Sequence, residues 1–164
     1  MNTVTAGYVL GIDPGTTDFA LALCDIQTKQ VVCARSLRLP DVSTNRHIVV
    51  SVCTLLYALQ KRFHPLLHIC VEQQLRSPMI EVAQTVITWA FTQNISCEIV
   101  TAHTWRHRVG TKSQGTWLKN KKHSVHYVQA VMGYQIADHN IAEAVMIAAG
   151  ACEAAFPTDP NTVL

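Results

Sequence analysis

Hydrophobic residues are concentrated in three short runs near the start of the chain, at 8–13, 19–24 and 31–37. Turn-forming polar residues separate these runs, beginning with Pro14-Gly15. Short apolar runs with such brief connections are typical of antiparallel β-strands. The pattern therefore predicts a three-stranded meander in the first part of the chain.

The spacing of hydrophobic residues changes after the third run. Residues 46–63 carry apolar side chains at intervals of three and four, which predicts an amphipathic helix. The almost wholly apolar run at 66–72 predicts a fourth strand, covered on both faces. A second helix is expected over 77–93, with a proline in its first turn, and a fifth strand over 97–101.

The last third of the chain begins with a segment of no clear periodicity. Residues 103–117 contain two glycines and are predicted to form a mobile loop. A basic helix follows at 119–132, and a last helix begins at Asp138 or His139 and ends near 155. Crossover connections after a meander give an α/β fold, in which a mixed five-stranded sheet carries helices on both faces.

The composition agrees with one folded domain. The 164 residues are 49% hydrophobic and 15% charged, enough to bury a sizeable core in a domain expected at 1–156, followed by a tail at 157–164. No apolar run reaches the roughly 18 residues of a membrane span, and the first residues do not resemble a secretory signal. The six cysteines have neither disulfide nor zinc spacing. We therefore expect a soluble intracellular protein without a membrane partner.

Charge is segregated along the chain although the net charge is only +2. Residues 101–130 hold six Lys and Arg and no acid, whereas 131–164 hold four acids and no Lys or Arg. A basic segment followed by an acidic one is typical of a protein that binds a polyanion next to a cation-binding pocket. Chance clustering in a small domain is the alternative.

Four acids stand at positions where they could meet. Asp13 ends the first strand and Glu72 ends the fourth, so the two are neighbours if these strands are parallel and adjacent. Asp138 and Glu143 lie in the first part of the last helix, where Asn140 shares a face with Glu143. Converging hard oxygen ligands select Mg²⁺ or Mn²⁺. A turn, a helix cap or a surface charge is the alternative for each residue alone.

Three blocks carry a family resemblance: residues 11–15 (GIDPG), 71–74 (VEQQ) and 139–144 (HNIAEA). In order and spacing they resemble the RuvC-type Holliday junction resolvases of the RNase H-like superfamily. The chain is most similar to the poxvirus branch, through residues 72–78 and 121–125. That likeness suggests a viral origin and a viral replication site as the location.

The resemblance implies an RNase H-like fold and four carboxylates that hold two Mg²⁺ ions, with Mn²⁺ as a substitute. Asp13 would bridge both ions and Glu72 would bind one. In the family, two acids three residues apart complete the set, and here those positions are Asn140 and Glu143. The uncharged amide is expected to lower metal affinity and rate. Three explanations stay open: a natural variant, a site in which Asp138 substitutes, or a deliberate Asp-to-Asn change that traps DNA.

The activity implied is resolution of four-way DNA junctions by paired symmetric nicks that leave 5′-phosphate and 3′-hydroxyl ends. Lys122 is preferred slightly over Lys121 as the lysine that neutralises the phosphate. Trp105 and Trp117 either stack on unpaired bases or pack in the core. The residues expected to hold DNA phosphates are Arg76, Arg106, Arg108, Lys112, Lys119, Lys121 and Lys122.

Two matched cuts imply a homodimer, because a four-way junction has two-fold symmetry. The helix at 77–93 is the candidate interface, through an apolar stripe of Met79, Val82, Val86 and Trp89, and the alternative is that this stripe belongs to the core. The alternatives are a non-catalytic junction-binding module and another RNase H-like nuclease that acts on hybrid or flapped substrates. An actin-like ATPase, which residues 11–17 also resemble, would need a second domain, so no nucleotide cofactor is expected.

Overall fold

The computed structural model describes residues 6–39 and 45–157. Its strands are β1 (Tyr8–Pro14), β2 (Phe19–Asp25), β3 (Val31–Leu37), β4 (Leu66–Glu72) and β5 (Ser96–Val100). Its helices are α1 (Asn45–Arg62), α2 (Met79–Thr92), α3 (Ala102–Arg108), α4 (Trp117–Ala130) and α5 (His139–Ala155). Within these residues no helix has both the length and the apolar character needed to cross a bilayer. Most of the predicted tail, residues 158–164, lies outside the described part.

The sheet has the strand order β3-β2-β1-β4-β5. Strands β1, β2 and β3 pair antiparallel, whereas β4 runs parallel to β1 and β5 runs parallel to β4. The predicted meander and mixed sheet are therefore confirmed. Strands β1 and β4 are parallel neighbours, and Ile12 lies opposite Val71. The next residue of each strand, Asp13 in β1 and Glu72 in β4, therefore lies at the same edge of the sheet.

The sheet separates two hydrophobic layers. Leu10 and Ile12 of β1 face a layer that includes α1 and α2, while Val9 faces the layer of α3, α4 and α5. This alternation follows from the two-residue period of a strand, which sends successive side chains to opposite faces. The predicted arrangement, with helices on both faces, is confirmed.

The mobile loop predicted over 103–117 is wrong in its first half, which forms α3. Thr101 caps this helix, because its side chain accepts a hydrogen bond from the Thr104 backbone N–H. Trp105 is fully buried and holds the helix to the core beneath it. Seven residues make only two turns, too few for a hydrophobic period to be recognisable in the sequence. Residues 109–116 have no helix or strand, as expected of a connection.

The apolar stripe of α2 belongs to the core and not to an exposed interface. Val82 and Val86 are completely buried, and Trp89 packs edge-on against Tyr57 of α1, with 5.4 Å between ring centroids. Met79 is half-buried at the other end of the helix. The interface predicted on this stripe is therefore wrong, because α1 already covers it.

Helix α5 packs on β1 without an intervening side chain at Gly11. A Cβ atom at this position would lie 2.4 Å from the Ala148 backbone nitrogen and 2.7 Å from the Ala144 carbonyl oxygen. Only glycine permits so close an approach of two backbones. This contact fixes the height of α5 above the sheet, and with it the position of Glu143 relative to Asp13.

We expect Gly11→Ala to lower the free energy of unfolding by about 3 kcal/mol or more, because the new methyl group overlaps backbone that cannot move aside. Urea unfolding followed by circular dichroism measures the loss. Gly115→Ala is the control: a Cβ there meets no atom within 4 Å, but φ is +90°. The control should cost only about 1 kcal/mol of backbone strain. Equal losses in the two variants would contradict the close packing of α5 on β1.

Candidate active site

A cavity of about 690 Å³ opens at the carboxyl ends of β1 and β4, beside the first turns of α5. Four candidate ligands line it: Asp13, Glu72, Asn140 and Glu143. The other walls come from the Gly15–Asp18 turn, the connection from β4 to α2, and α4. The strand pairing and the close packing of α5 thus bring together residues that are far apart in the sequence.

The buried carboxyl groups of the cavity repel one another. Burial raises the pKa of Asp13 well above its usual value, and the charge of Glu72 raises it further. Burial and then the charge of Glu143 raise the pKa of Glu72. A cation placed between these groups would relieve both effects, since it favours the charged forms.

The carboxylate of Glu143 is buried and is hydrogen-bonded to protein side chains instead of water. It is 3% exposed, and its Oε1 accepts hydrogen bonds from Arg106 Nη2 at 3.1 Å and from Ser124 Oγ at 3.4 Å. Its Oε2 accepts from Lys121 Nζ. A buried carboxylate needs such compensation, because an unpaired charge in the interior is costly.

Arg106 was predicted to hold DNA phosphates, but the structure buries it. It is 6% exposed, its guanidinium lies over the Trp105 ring at 4.2 Å, and it pairs with Glu143. Its role in this arrangement is to compensate the charge of Glu143. Arg106 therefore lies in the wall of the cavity, which it lines, and not among the exposed cations outside it.

Trp105 contacts the site in a way that the sequence did not reveal. Its Nε1–H donates a hydrogen bond to Glu72 Oε1 at 3.2 Å. Trp105 and Arg106 are consecutive on α3, so one short helix fixes an oxygen on each of two carboxylates. The sequence contained one indication of this role: an aromatic residue next to a cation, just after β5, the strand that neighbours β4. Because the segment was predicted to be a loop, this indication was not used. Since Trp105 is buried, it cannot stack on a DNA base.

Asp138 caps α5. Its Oδ1 accepts hydrogen bonds from the backbone N–H groups of Asn140, at 2.8 Å, and Ile141, at 3.4 Å. It is exposed and is not among the residues that line the cavity, whereas Asn140 is. This arrangement gives no support to Asp138 as a substitute metal ligand, because the residue caps the helix through Oδ1 and does not line the cavity.

The donor set of the cavity suits a hard divalent cation. The carboxylates of Asp13, Glu72 and Glu143, the exposed carboxylate of Asp18 and the Asn140 amide can offer oxygen ligands, the kind that Mg²⁺ and Mn²⁺ prefer. Among the described residues, however, no three His, Cys, Asp or Glu side chains already form a metal-binding group. Glu143 already accepts a hydrogen bond on each of its oxygens, from Arg106 and from Lys121.

The predicted DNA-binding cations separate into two groups. Arg76, Lys112, Lys119 and Lys122 are exposed, and Arg76 also lines the cavity. Of the two lysines considered for the phosphate, the structure brings Lys121 to the cavity and leaves Lys122 outside its lining. The sequence alone could not separate these neighbours, because one residue turns a helical side chain by about 100°.

Arg108, unlike the exposed cations, is paired with an acid. Its guanidinium binds both carboxylate oxygens of Glu98, at 2.6 and 2.9 Å, and it is half-buried. This pairing is the main cause that holds the pKa of Glu98 below its usual value. The prediction that Arg108 holds DNA is therefore not supported, because its donors are committed to a fork-to-fork pair.

Two large apolar side chains stand exposed at the rim of the cavity. Leu75, in the connection from β4 to α2, is 85% exposed, and Trp117, at the start of α4, is 68% exposed. The Trp117 and His139 rings pack edge to face, with 6.0 Å between their centroids, and Lys121 Nζ lies 5.7 Å from the centroid of the Trp117 ring. Such exposure beside a polar cavity is typical of a surface that binds a partly apolar partner.

Neither a family model nor a curated protein matches this sequence. A structure of RuvC from Thermus thermophilus superposes on 90% of this chain and 95% of its own, with a TM-score of 0.63 and 16% identity. The chain shares the fold of RuvC. Thermus thermophilus RuvC in complex with a Holliday junction substrate matches over the same shares, with a TM-score of 0.64 and 15% identity. The predicted resemblance to RuvC is thus confirmed in the RNase H-like fold, and the closeness to the poxvirus branch stays a prediction.

We expect Trp105→Phe to weaken Mn²⁺ binding to the cavity about 10- to 100-fold, because Glu72 loses the donor that orients it. The phenyl ring keeps an aromatic surface beneath Arg106. Isothermal titration calorimetry on the DNA-free chain measures the affinity.

Trp89→Phe is the matched control for that variant. Trp89 is also a buried tryptophan, but its Nε1 has no hydrogen-bond partner among the described residues. Both variants remove similar packing, but only Trp105→Phe also removes a hydrogen bond to a carboxylate. Equal Mn²⁺ affinities for the two variants would show that the Trp105 hydrogen bond does not organise the site.

Proposed function

We propose that this chain is an endonuclease that depends on divalent metal ions and cuts four-way DNA junctions. The observation that carries the proposal is the cavity of Asp13, Glu72, Glu143 and Asn140 at the sheet edge of a RuvC-like fold. The match to a RuvC bound to a Holliday junction substrate supports the choice of DNA. Exposed cations near the cavity supply the attraction that a polyanion requires.

Asp13, Glu72, Glu143 and Asn140 would hold the metal, with two Mg²⁺ ions per site or Mn²⁺ in their place. Burial, followed by the charge of Glu72, raises the pKa of Asp13, and a bound cation would favour its charged form. When bound, a pair of divalent ions supplies charge for activating water and for stabilising the leaving 3′ oxygen. In-line attack on the phosphodiester then leaves 5′-phosphate and 3′-hydroxyl ends.

Lys121 is our candidate for the cation that neutralises the phosphate in the transition state. Its ammonium group lines the cavity and donates to Glu143 Oε2. A lysine on a flexible stem can exchange this carboxylate for a phosphate oxygen as charge develops there. Lys122, the residue favoured from the sequence, is exposed outside the cavity and suits a contact with the DNA backbone instead.

The DNA would lie over the exposed cations Arg76, Lys112, Lys119 and Lys122. Such contacts position a duplex without reading its sequence. The exposed side chains of Leu75 and Trp117 can pack against bases that are unpaired at the branch point. Base pairs at a crossover are more easily opened than those in a continuous duplex, so this apolar rim favours branched DNA.

Two copies of the chain would act together, because a junction with two-fold symmetry needs two matched cuts. With the α2 stripe buried, the outer surface of α1 and α2 is the candidate interface. A groove of about 410 Å³ lies between these helices and includes Tyr57, while Phe91 at the end of α2 is exposed. An isologous contact there would leave the carboxyl edge of each sheet open to DNA.

A junction-binding protein without catalysis is the second candidate. The observation that favours it is Asn140, an amide where the family has an acid, because an uncharged ligand weakens metal binding. An RNase H-like nuclease with another substrate would use the same acids. Hybrid and flapped substrates therefore belong in the assay below.

We expect the chain to cut a synthetic four-way junction slowly in Mg²⁺ and faster as Asn140→Asp, by about 10-fold or more, because the added charge strengthens metal binding. End-labelled strands resolved on denaturing gels give the rate and the position of each nick. A supercoiled plasmid with an extruded cruciform reports pairing: coordinated nicks yield linear DNA, and single nicks yield open circles.

Glu72→Gln is the control for that assay, and we expect it to bind the junction without cutting it. Failure of both the parent and Asn140→Asp to cut in Mg²⁺ or Mn²⁺, with junction binding intact, would favour the binding module. Faster cutting of a hybrid or a flap than of the junction would overturn the proposed substrate.

We expect Lys119→Ala and Lys122→Ala each to weaken junction binding and to reduce the salt dependence of binding by about one unit of slope, because each removes one phosphate contact. Arg108→Gln, in which the lost charge was paired with Glu98, should leave that slope unchanged. Fluorescence anisotropy over a range of NaCl concentrations measures the slope. A loss of slope in Arg108→Gln equal to that in the lysine variants would contradict our division of the cations.

A further inference from the structure

We propose that Cys24 and Cys152 are a site of oxidative modification, at which an oxidant joins the two thiols in a disulfide between β2 and α5. Cys24 is the last residue but one of β2, and Cys152 begins the last turn of α5. The two lie 128 positions apart in the sequence, so only the fold brings them together. None of the residues involved lines the cavity of the acids, and the inference does not depend on the proposed function.

Both sulfur atoms lie against the same backbone oxygen. Cys24 Sγ is 3.7 Å from the carbonyl oxygen of Asp25, and Cys152 Sγ is 4.0 Å from the same atom. Both side chains are buried in the hydrophobic layer between the sheet and α5. The shared contact atom makes the two thiols neighbours, and neighbouring thiols are the first requirement for a disulfide.

A lysine accompanies the pair. Lys29, which is half-buried in the connection from β2 to β3, places its Nζ 3.8 Å from Cys152 Sγ. The same ammonium group donates to the carbonyl oxygen of Cys152 at 3.4 Å and to that of Phe156, so it is held at the end of α5. A positive charge beside a thiol favours the thiolate, which is the reactive form of cysteine.

The two thiols have unequal roles. The adjacent Cys24 thiol is the main cause that lowers the pKa of Cys152, and the charge of Lys29 lowers it further against the opposing effect of burial. The contact with Cys152 and then burial raise the pKa of Cys24. Cys152 is therefore the thiolate that meets the oxidant, and Cys24 is the thiol that resolves the product.

Hydrogen peroxide is an oxidant for which both steps balance. The Cys152 thiolate attacks one peroxide oxygen, the O–O bond breaks, and a sulfenic acid and hydroxide are formed. The Cys24 sulfur then attacks the sulfenic sulfur, and the departing hydroxide takes the thiol proton and leaves as water. Two electrons pass from the pair of sulfurs to the peroxide. Because both sulfurs are buried, the reaction requires a small oxidant and a brief opening of the last turn of α5.

The chain contains its own control for burial. Cys70 is as deeply buried as Cys152, but burial raises its pKa, so it stays a thiol. Burial likewise raises the pKa of Cys97 and of Cys53. Oxidation should therefore select the pair beside Lys29 and leave these three cysteines unmodified.

Treatment of the native chain with hydrogen peroxide, followed by alkylation in denaturant and peptide mass spectrometry, tests the inference. We expect one disulfide, Cys24–Cys152, and a fall from six free thiols to four. Lys29→Gln should slow this oxidation about 10-fold, whereas Lys29→Arg, which keeps the charge, should not. The oxidised chain should melt about 5 °C or more higher, since the bond restricts the unfolded chain, and dithiothreitol should reverse the change.

Cys24→Ser separates the two steps, because it removes the resolving thiol. In this variant Cys152 should stop at the sulfenic acid, which dimedone traps at a single position. Oxidation of Cys70 as fast as Cys152, a disulfide between two chains, or six free thiols after treatment of the parent would each overturn the inference. A lower melting temperature of the oxidised chain would also contradict it, since the bond would then distort the fold. If Lys29→Gln proves unfolded by circular dichroism, the comparison of Cys152 with Cys70 in the parent decides.

Discussion

The parallel pairing of β1 with β4 is the constraint on which the rest of the structure depends. It brings Asp13 and Glu72, 59 positions apart in the sequence, to one edge of the sheet. Glycine at position 11 lets the backbone of α5 rest on β1, which sets Glu143 beside the other two carboxylates. Backbone contacts thus place the three acids. The packing of the helix on the sheet keeps them close together in spite of their mutual repulsion. A site held in this way is preorganised, since its ligands need not be gathered when a cation arrives.

The repulsion explains the shell around these acids. Glu72 accepts a hydrogen bond from a neutral indole, whereas Glu143 is held by a guanidinium, an ammonium group and a hydroxyl. Each contact stabilises a buried negative oxygen, as the interior of a protein requires. The shell comes mostly from α3 and α4, the part of the chain in which basic residues are concentrated. Some of these basic residues therefore stabilise the folded site itself and are not available to bind a ligand.

The sequence predicted the five strands because apolar runs with turn residues between them are a local pattern. Asp13 and Glu72 stand where two of those runs end, whereas Glu143 lies within α5 and reaches the cavity through the packing of that helix. Helix α3 could not be predicted, because two turns show no period and its anchor, Trp105, is defined by tertiary contact. The choice between Lys121 and Lys122 depends on the rotation of α4, which only its packing fixes. Asp138 is a similar case: the sequence allowed a cap or a ligand, and the cap is what the structure contains.

The basic block also illustrates why charge counted along a chain overstates charge offered to DNA. Of its six Lys and Arg residues, Arg106 and Arg108 are bound to carboxylates and Lys121 is at the cavity, which leaves three on the surface. Arg76, outside the block, adds a fourth cation next to the acids. In the nuclease that we propose, a surface with so few phosphate contacts would bind ordinary duplex weakly, because nonspecific affinity grows with the number of phosphates neutralised. Its preference for a branched substrate would then come from the rim residues Leu75 and Trp117, whose apolar surface gains most where bases are not already stacked on both sides. Weak attraction to the backbone and an apolar rim would together favour junctions over linear DNA.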